Sequence, residues 1–100
     1  MSKETYKLTW VQSVSDFANE QFVKAIINGT PTDLSTSLLM NVAEFNYDFP
    51  TDAVVEWWIQ TVDQSGTKSV DSAINTFNAV NGAPLLPATG LGQAWVAHIP

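Results

Sequence analysis

Apolar side chains recur along much of the chain at steps of three and four, the spacing that lines one face of an α-helix. Over 9–28 the recurring positions are Trp10, Val14, Phe17, Ala18, Phe22 and Ala25, which predicts an amphipathic helix. Thr9 and Gln12 have the form of a capping box at its start, and Asn28-Gly29 supplies a left-handed stop. A second helix is predicted from Thr30-Pro31 to about Tyr47 or Asp48, with Leu34, Leu38, Val42 and Phe45 as its stripe; Pro50 disfavours helical geometry at Phe49. A third spans 51–62, burying Val54, Val55, Trp58 and Val62, and a fourth spans 69–80, burying Val70, Ala73, Ile74 and Phe77 before Asn81-Gly82.

Four such stripes joined by short turns predict an all-α fold, a small antiparallel four-helix bundle over about 9–81, because each stripe needs a partner to cover it. The segment 83–100 differs. Pro84, Pro87, Gly90 and Gly92 break any long helix, while Leu85, Leu86, Leu91, Trp95, Val96 and Ile99 give it much to bury, so it is expected to pack irregularly on the bundle. An alternative rests on the chain ends, where Tyr6, Leu8 and Trp10 alternate with polar residues, as do Trp95, Ala97 and Ile99. That pattern suits two short paired terminal strands and an α+β fold. No internal repeat is evident, and 100 residues make one domain.

Composition narrows the chemistry. Hydrophobic residues form 45% of the chain and charged ones only 14%, a globular mixture in which neutral polar residues replace charge. Ten acids against four lysines give a formal charge of −6. Lys3, Lys7, Lys24 and Lys68 are scattered and no arginine occurs, which argues against direct nucleic-acid binding. The absence of cysteine removes disulfides, thiolate nucleophiles and Cys-ligated metals together. No apolar run reaches the length of a membrane span, and the polar start, Met1 to Lys7, predicts a cytoplasmic protein.

Candidate motifs fail on their own letters. The sole histidine, His98, has no orienting partner in the sequence, so no catalytic residue is assigned. Glu44, Asp48, Asp52 and Glu56 follow at four-residue steps, and the Asp48–Asp52 corner is a conceivable cation site, but no Glu-x-x-His pattern accompanies it. The run Asp63 to Asp71 resembles a calcium-binding EF-hand loop in its alternating oxygens, yet Lys68 and Ile74 hold the sixth and twelfth positions. Leu86-Pro87-Ala88-Thr89-Gly90 has the letters of a cell-wall sorting signal, but 91–100 is neither a hydrophobic span nor basic. No metal or cofactor is expected.

What remains is apolar surface. On a helix Trp57 and Trp58 point roughly 100° apart, so one indole is expected to stay partly exposed. With Tyr47 and Met40, Trp57 would form an aromatic patch rimmed by Glu44, Asp48, Asp52 and Glu56. The sequence therefore predicts a non-enzymatic, acidic protein that binds another protein or itself, as an inhibitor, adaptor or assembly subunit. In a second reading the C-terminal segment is a substrate, processed or modified by a partner enzyme.

Overall fold

In a computed structural model the chain is all-β. Residues 1–13, 15, 17–67, 69–82 and 91–100 are described, and they hold no helix. The strands are β1 (Lys3–Thr9), β2 (Ala18–Ile27), β3 (Thr30–Asp33), β4 (Leu38–Leu39), β5 (Glu44–Pro50), β6 (Val54–Asp63), β7 (Ser69–Asp71), β8 (Asn75–Asn78) and β9 (Gly92–Ile99). One sheet has the order β5-β1-β9; the other runs β3-β2-β6-β7, with β4 also on β2 and β8 also on β6. All pairings are antiparallel. No helix among the described residues is long and apolar enough to cross a membrane.

The four-helix bundle is thus overturned, and the reason lies in which faces carry apolar residues. Along β6 the side chains of Val55, Trp57, Ile59 and Thr61 are buried, and those between them face outward. The outward set still contains Val54, Trp58 and Val62, as that of β2 contains Phe22 and Ile26. Apolar residues on both faces blur the two-residue period, and a three-to-four-residue stripe can be threaded through the mixture. The β-branched and aromatic density of Val54–Asp63 favours the strand.

Turn residues have the same double meaning. Asn28-Gly29 does adopt left-handed geometry, with φ of 49° and 84°, but as the two-residue turn of the β2–β3 hairpin rather than a helix end. The second predicted helix divides into β3, β4 and β5, and the fourth into β7 and β8. The terminal alternation does mark paired strands, with Tyr6 opposite Trp95 and Thr5 opposite Ala97, although no helix accompanies them to make an α+β fold. Of the C-terminal segment, 83–90 lies outside the described residues, and Gly92–Ile99 is a strand whose pairing with β1 shifts register once, at Val96.

The pairing pattern contains a pseudo-twofold relation that the sequence hides. β1 pairs with β5, and β2 with β6, Val23 opposite Ile59. β2 and β6 are each ten residues long, and each carries two short strands in succession along its outer edge. In both gaps a serine fills in: Val23 N–H donates to Ser35 Oγ (2.9 Å) and Ile59 N–H to Ser72 Oγ (3.0 Å). An edge broken in two would otherwise leave those donors unmade.

The sheets close over one core. Tyr6, Leu8 and Phe49 from the three-stranded sheet meet Val23, Ala25, Val55, Trp57, Ile59 and Phe77 from the other. Phe77 bridges the sheets, its ring 4.9 Å from that of Tyr6 and 5.5 Å from that of Phe49, the latter edge-on at 88°. Three of the four tryptophans donate their indole N–H to interior acceptors: Trp10 to Gln21 (3.0 Å), Trp57 to Gln93 (3.3 Å) and Trp95 to Glu4 (2.9 Å). Buried polar groups paired in this way link distant parts of the chain, and among the described residues no buried side-chain nitrogen or oxygen lacks a partner.

Candidate functional site

The six-stranded sheet is incompletely covered where β6 leads into β7. Val70 is the register partner of buried Thr61 and shares its face, yet it is 63% exposed. Ser13, Ser15 and Phe17, on the linker that precedes β2, lie across from it. Between them opens a groove of about 540 Å³ lined by Ser13, Phe17, Thr61, Asp63, Ser69 and Val70, among others. A smaller hollow of about 180 Å³ shares Ser13, Thr61 and Val70 and adds Val11, Ile59 and Leu91.

The local chemistry fixes this shape. Gly66 takes φ of 74° and donates its N–H to Asp63 O (3.1 Å), closing the β6–β7 turn. Gln64 N–H donates to Phe17 O (3.2 Å), which holds the linker against the turn. Ser65 Oγ lies 2.9 and 3.0 Å from the Asp63 carboxylate oxygens and 2.6 Å from Thr67 Oγ1. The stretch that resembles a calcium loop thus ties its oxygens to one another, and no cluster of three metal-capable residues occurs among the described residues. Beside its serine and threonine hydroxyls the groove exposes Phe17 (71%) and Val70, and the hollow exposes Val11 (77%).

The residues expected to form an aromatic patch are dispersed. Trp57 is fully buried, so it offers no surface; its neighbour Trp58 is the half-exposed indole, on the outer face of β6. A strand sends adjacent side chains to opposite faces, and the larger share of apolar partners lies inside. Tyr47 is half-buried on β5, its ring 4.9 Å from that of Phe49, and Met40 sits half-buried between β4 and β5. Glu44 and Asp48 do share a face of β5, where Lys7 Nζ lies 3.7 Å from Glu44 and Thr5 Oγ1 donates to Asp48 (2.5 Å). Asp52 is exposed in the β5–β6 turn at φ 65°, and Glu56 lies on the outer face of the other sheet. The acidic rim is therefore split between sheets.

A second constellation escaped the sequence reading. Glu4 is fully buried, and its carboxylate accepts hydrogen bonds from Trp95 Nε1 (2.9 Å) and Thr51 Oγ1 (2.7 Å), while His98 Nδ1 lies 2.5 Å away. Ser2 Oγ donates in turn to Thr51 Oγ1 (2.7 Å). Burial pushes the Glu4 pKa up, but the bonds from Trp95, Thr51 and His98 and the imidazole's charge outweigh it and hold the carboxyl below its ordinary value. His98 has its orienting group after all, one that the β1–β9 pairing brings from the far end of the chain. The signal was present: Glu4 stands two residues before Tyr6 and four before Leu8, in phase with buried positions. The hydroxyls of Thr51 and Ser2 lie on the carboxylate side of the pair, so the network ties β1 to β9 and to the turn after β5.

No known protein family, characterised protein or solved structure matches the chain.

Proposed function

We propose that this β-sandwich is a non-enzymatic binding module that seats an extended segment of another protein in the groove lined by Ser13, Phe17, Thr61, Ser69 and Val70. The observation that carries the reading is that two large exposed apolar side chains, Phe17 and Val70, line one groove, and that Val70 also borders the adjoining hollow lined by exposed Val11. A formal charge of −6 favours a partner with basic side chains flanking its apolar ones. The proposal keeps the cytoplasmic setting expected above, since a core free of cysteine needs no oxidising compartment.

Titration of the ¹⁵N-labelled protein with short peptides tests it. A valine/lysine alternating peptide should shift the amides of Phe17, Ser69 and Val70 and leave β5 unmoved, and Val70→Asp should abolish the shifts while the chain stays folded. Equal response to a valine/glutamate peptide, or none to either, would overturn the proposal. The second reading, a C-terminal segment offered to a modifying enzyme, requires β9 to detach from β1 first, because Gly92–Ile99 is paired along that strand.

A further inference from the structure

The chain contains two Asn-Gly pairs, and the fold treats them differently. Asn28 is locked. Its N–H donates to Val54 O and its side-chain Oδ1 accepts from Val54 N–H, both at 2.9 Å, across the β2–β6 pairing. Asn81 follows β8, is exposed, and has no hydrogen bond to its carboxamide among the described residues. Gly82 beside it sits at φ 120°, and like Gly29 it has no atom of the described residues within 4 Å of where a Cβ would stand, so the two sites differ in the asparagine and not in the glycine.

An asparagine followed by glycine carries its own reaction. The backbone nitrogen of the glycine attacks the side-chain Cγ, the new N–Cγ bond closes a five-membered succinimide, and the Cγ–Nδ2 bond breaks to release ammonia. Water then opens the ring at one of its two carbonyls, leaving aspartate or, with the chain rerouted through the side chain, isoaspartate. The co-reactant is water, and no oxidant, metal or enzyme is required. The attack needs a carboxamide free to rotate onto a neighbouring nitrogen that no Cβ shields.

We propose that Asn81 is a self-modifying site, converting to aspartate and isoaspartate in the folded protein, and that the bonds to Val54 protect Asn28 from the same fate. The position is consequential. Tyr6 OH, inside the sandwich, donates to Val80 O (2.6 Å) and reaches Gly82 O (3.2 Å), so the two carbonyls flanking Asn81 are the anchor that ties the chain after β8 to β1. Isoaspartate inserts an extra backbone carbon between them and adds a carboxylate beside them, so one phenol no longer spans both.

The folded protein, incubated in mildly alkaline buffer and mapped by mass spectrometry with aspartate and isoaspartate peptides separated, decides the matter. Asn81 should convert faster than Asn28 by roughly tenfold or more, since two net hydrogen bonds must open before Asn28 can cyclise. In denaturant the two rates should converge, because each asparagine then has only its glycine neighbour. Asn81→Ser should silence the first site and leave Asn28 as slow as before. Conversion of Asn28 at the rate of Asn81 in the folded state, a rate ratio unchanged by denaturant, or a folded chain unmodified at Asn81 would each overturn the proposal.

Discussion

The imidazole of His98 and the carboxylate of Glu4 meet at 2.5 Å across a sequence separation of 94 residues, joining the last strand to the first inside a shared sheet. The folded state holds the Glu4 carboxyl below its ordinary value, near 4.5, so folding favours the ionised form. The stability this contributes is fully present above that ordinary value and is lost as pH falls through the lowered one. Thermal midpoints measured from neutral pH downward should therefore fall steeply for the native chain, and less steeply for Glu4→Gln, which also starts lower because it leaves His98 without its carboxylate. Parallel acid limbs for the two proteins would assign the pH dependence elsewhere.

Adjacent tryptophans provide the sharpest contrast in stability. Trp57→Ala removes a fully buried indole and leaves a cavity beneath β6, so it should cost about 3–5 kcal/mol, with Gln93 and Asn75 losing part of their buried network. Trp58→Ala empties a half-exposed position on the outer face and should cost only about 1–2 kcal/mol. Urea unfolding of both variants measures the difference; comparable losses would contradict the burial assigned to the two rings.

Ser35 and Ser72 occupy equivalent gaps in the two halves, so their removal should have equal effects. Ser35→Ala frees the N–H of Val23 and Ser72→Ala that of Ile59, at about 1 kcal/mol each. Val23 and Ile59 are register partners, so the double variant should depart from additivity. Amide exchange is the closer probe: each single variant should accelerate its own N–H first.

The fold class was not legible, since the spacing predicts helices where the chain forms strands. The paired chain ends do follow from the alternation of Tyr6 and Leu8 with their polar neighbours. Asn28-Gly29 announced a left-handed turn without saying whether a helix ended or a hairpin folded there, since both need positive φ. What misled was the second apolar face: with Phe22, Ile26, Trp58 and Val62 pointing out, β2 and β6 lose the polar alternation that identifies a half-solvated strand. The groove was illegible for a different reason. Phe17 and Val70 look like core residues in sequence, yet the fold leaves both exposed, Phe17 in the turn before β2 and Val70 on the short edge strand β7.

Tyr6 supplies the alkaline counterpart of Glu4. Its ring is fully buried between the sheets and its hydroxyl donates to Val80 O, so burial, and next the negative charge of Glu4, push the phenol above its ordinary value of 10.0. Folding here favours the protonated form. The corresponding stability is complete below the ordinary value and drains away as pH rises through the raised one. Tyr6→Phe keeps the ring contacts with Phe49 and Phe77 but forfeits the hydroxyl's bonds, so at neutral pH it should cost about 1 kcal/mol. As pH climbs past the ordinary phenol value, the native chain should lose that advantage and the two unfolding midpoints should approach each other. Midpoints that stay equally far apart at alkaline pH would show that the phenol does not ionise on unfolding as its burial requires.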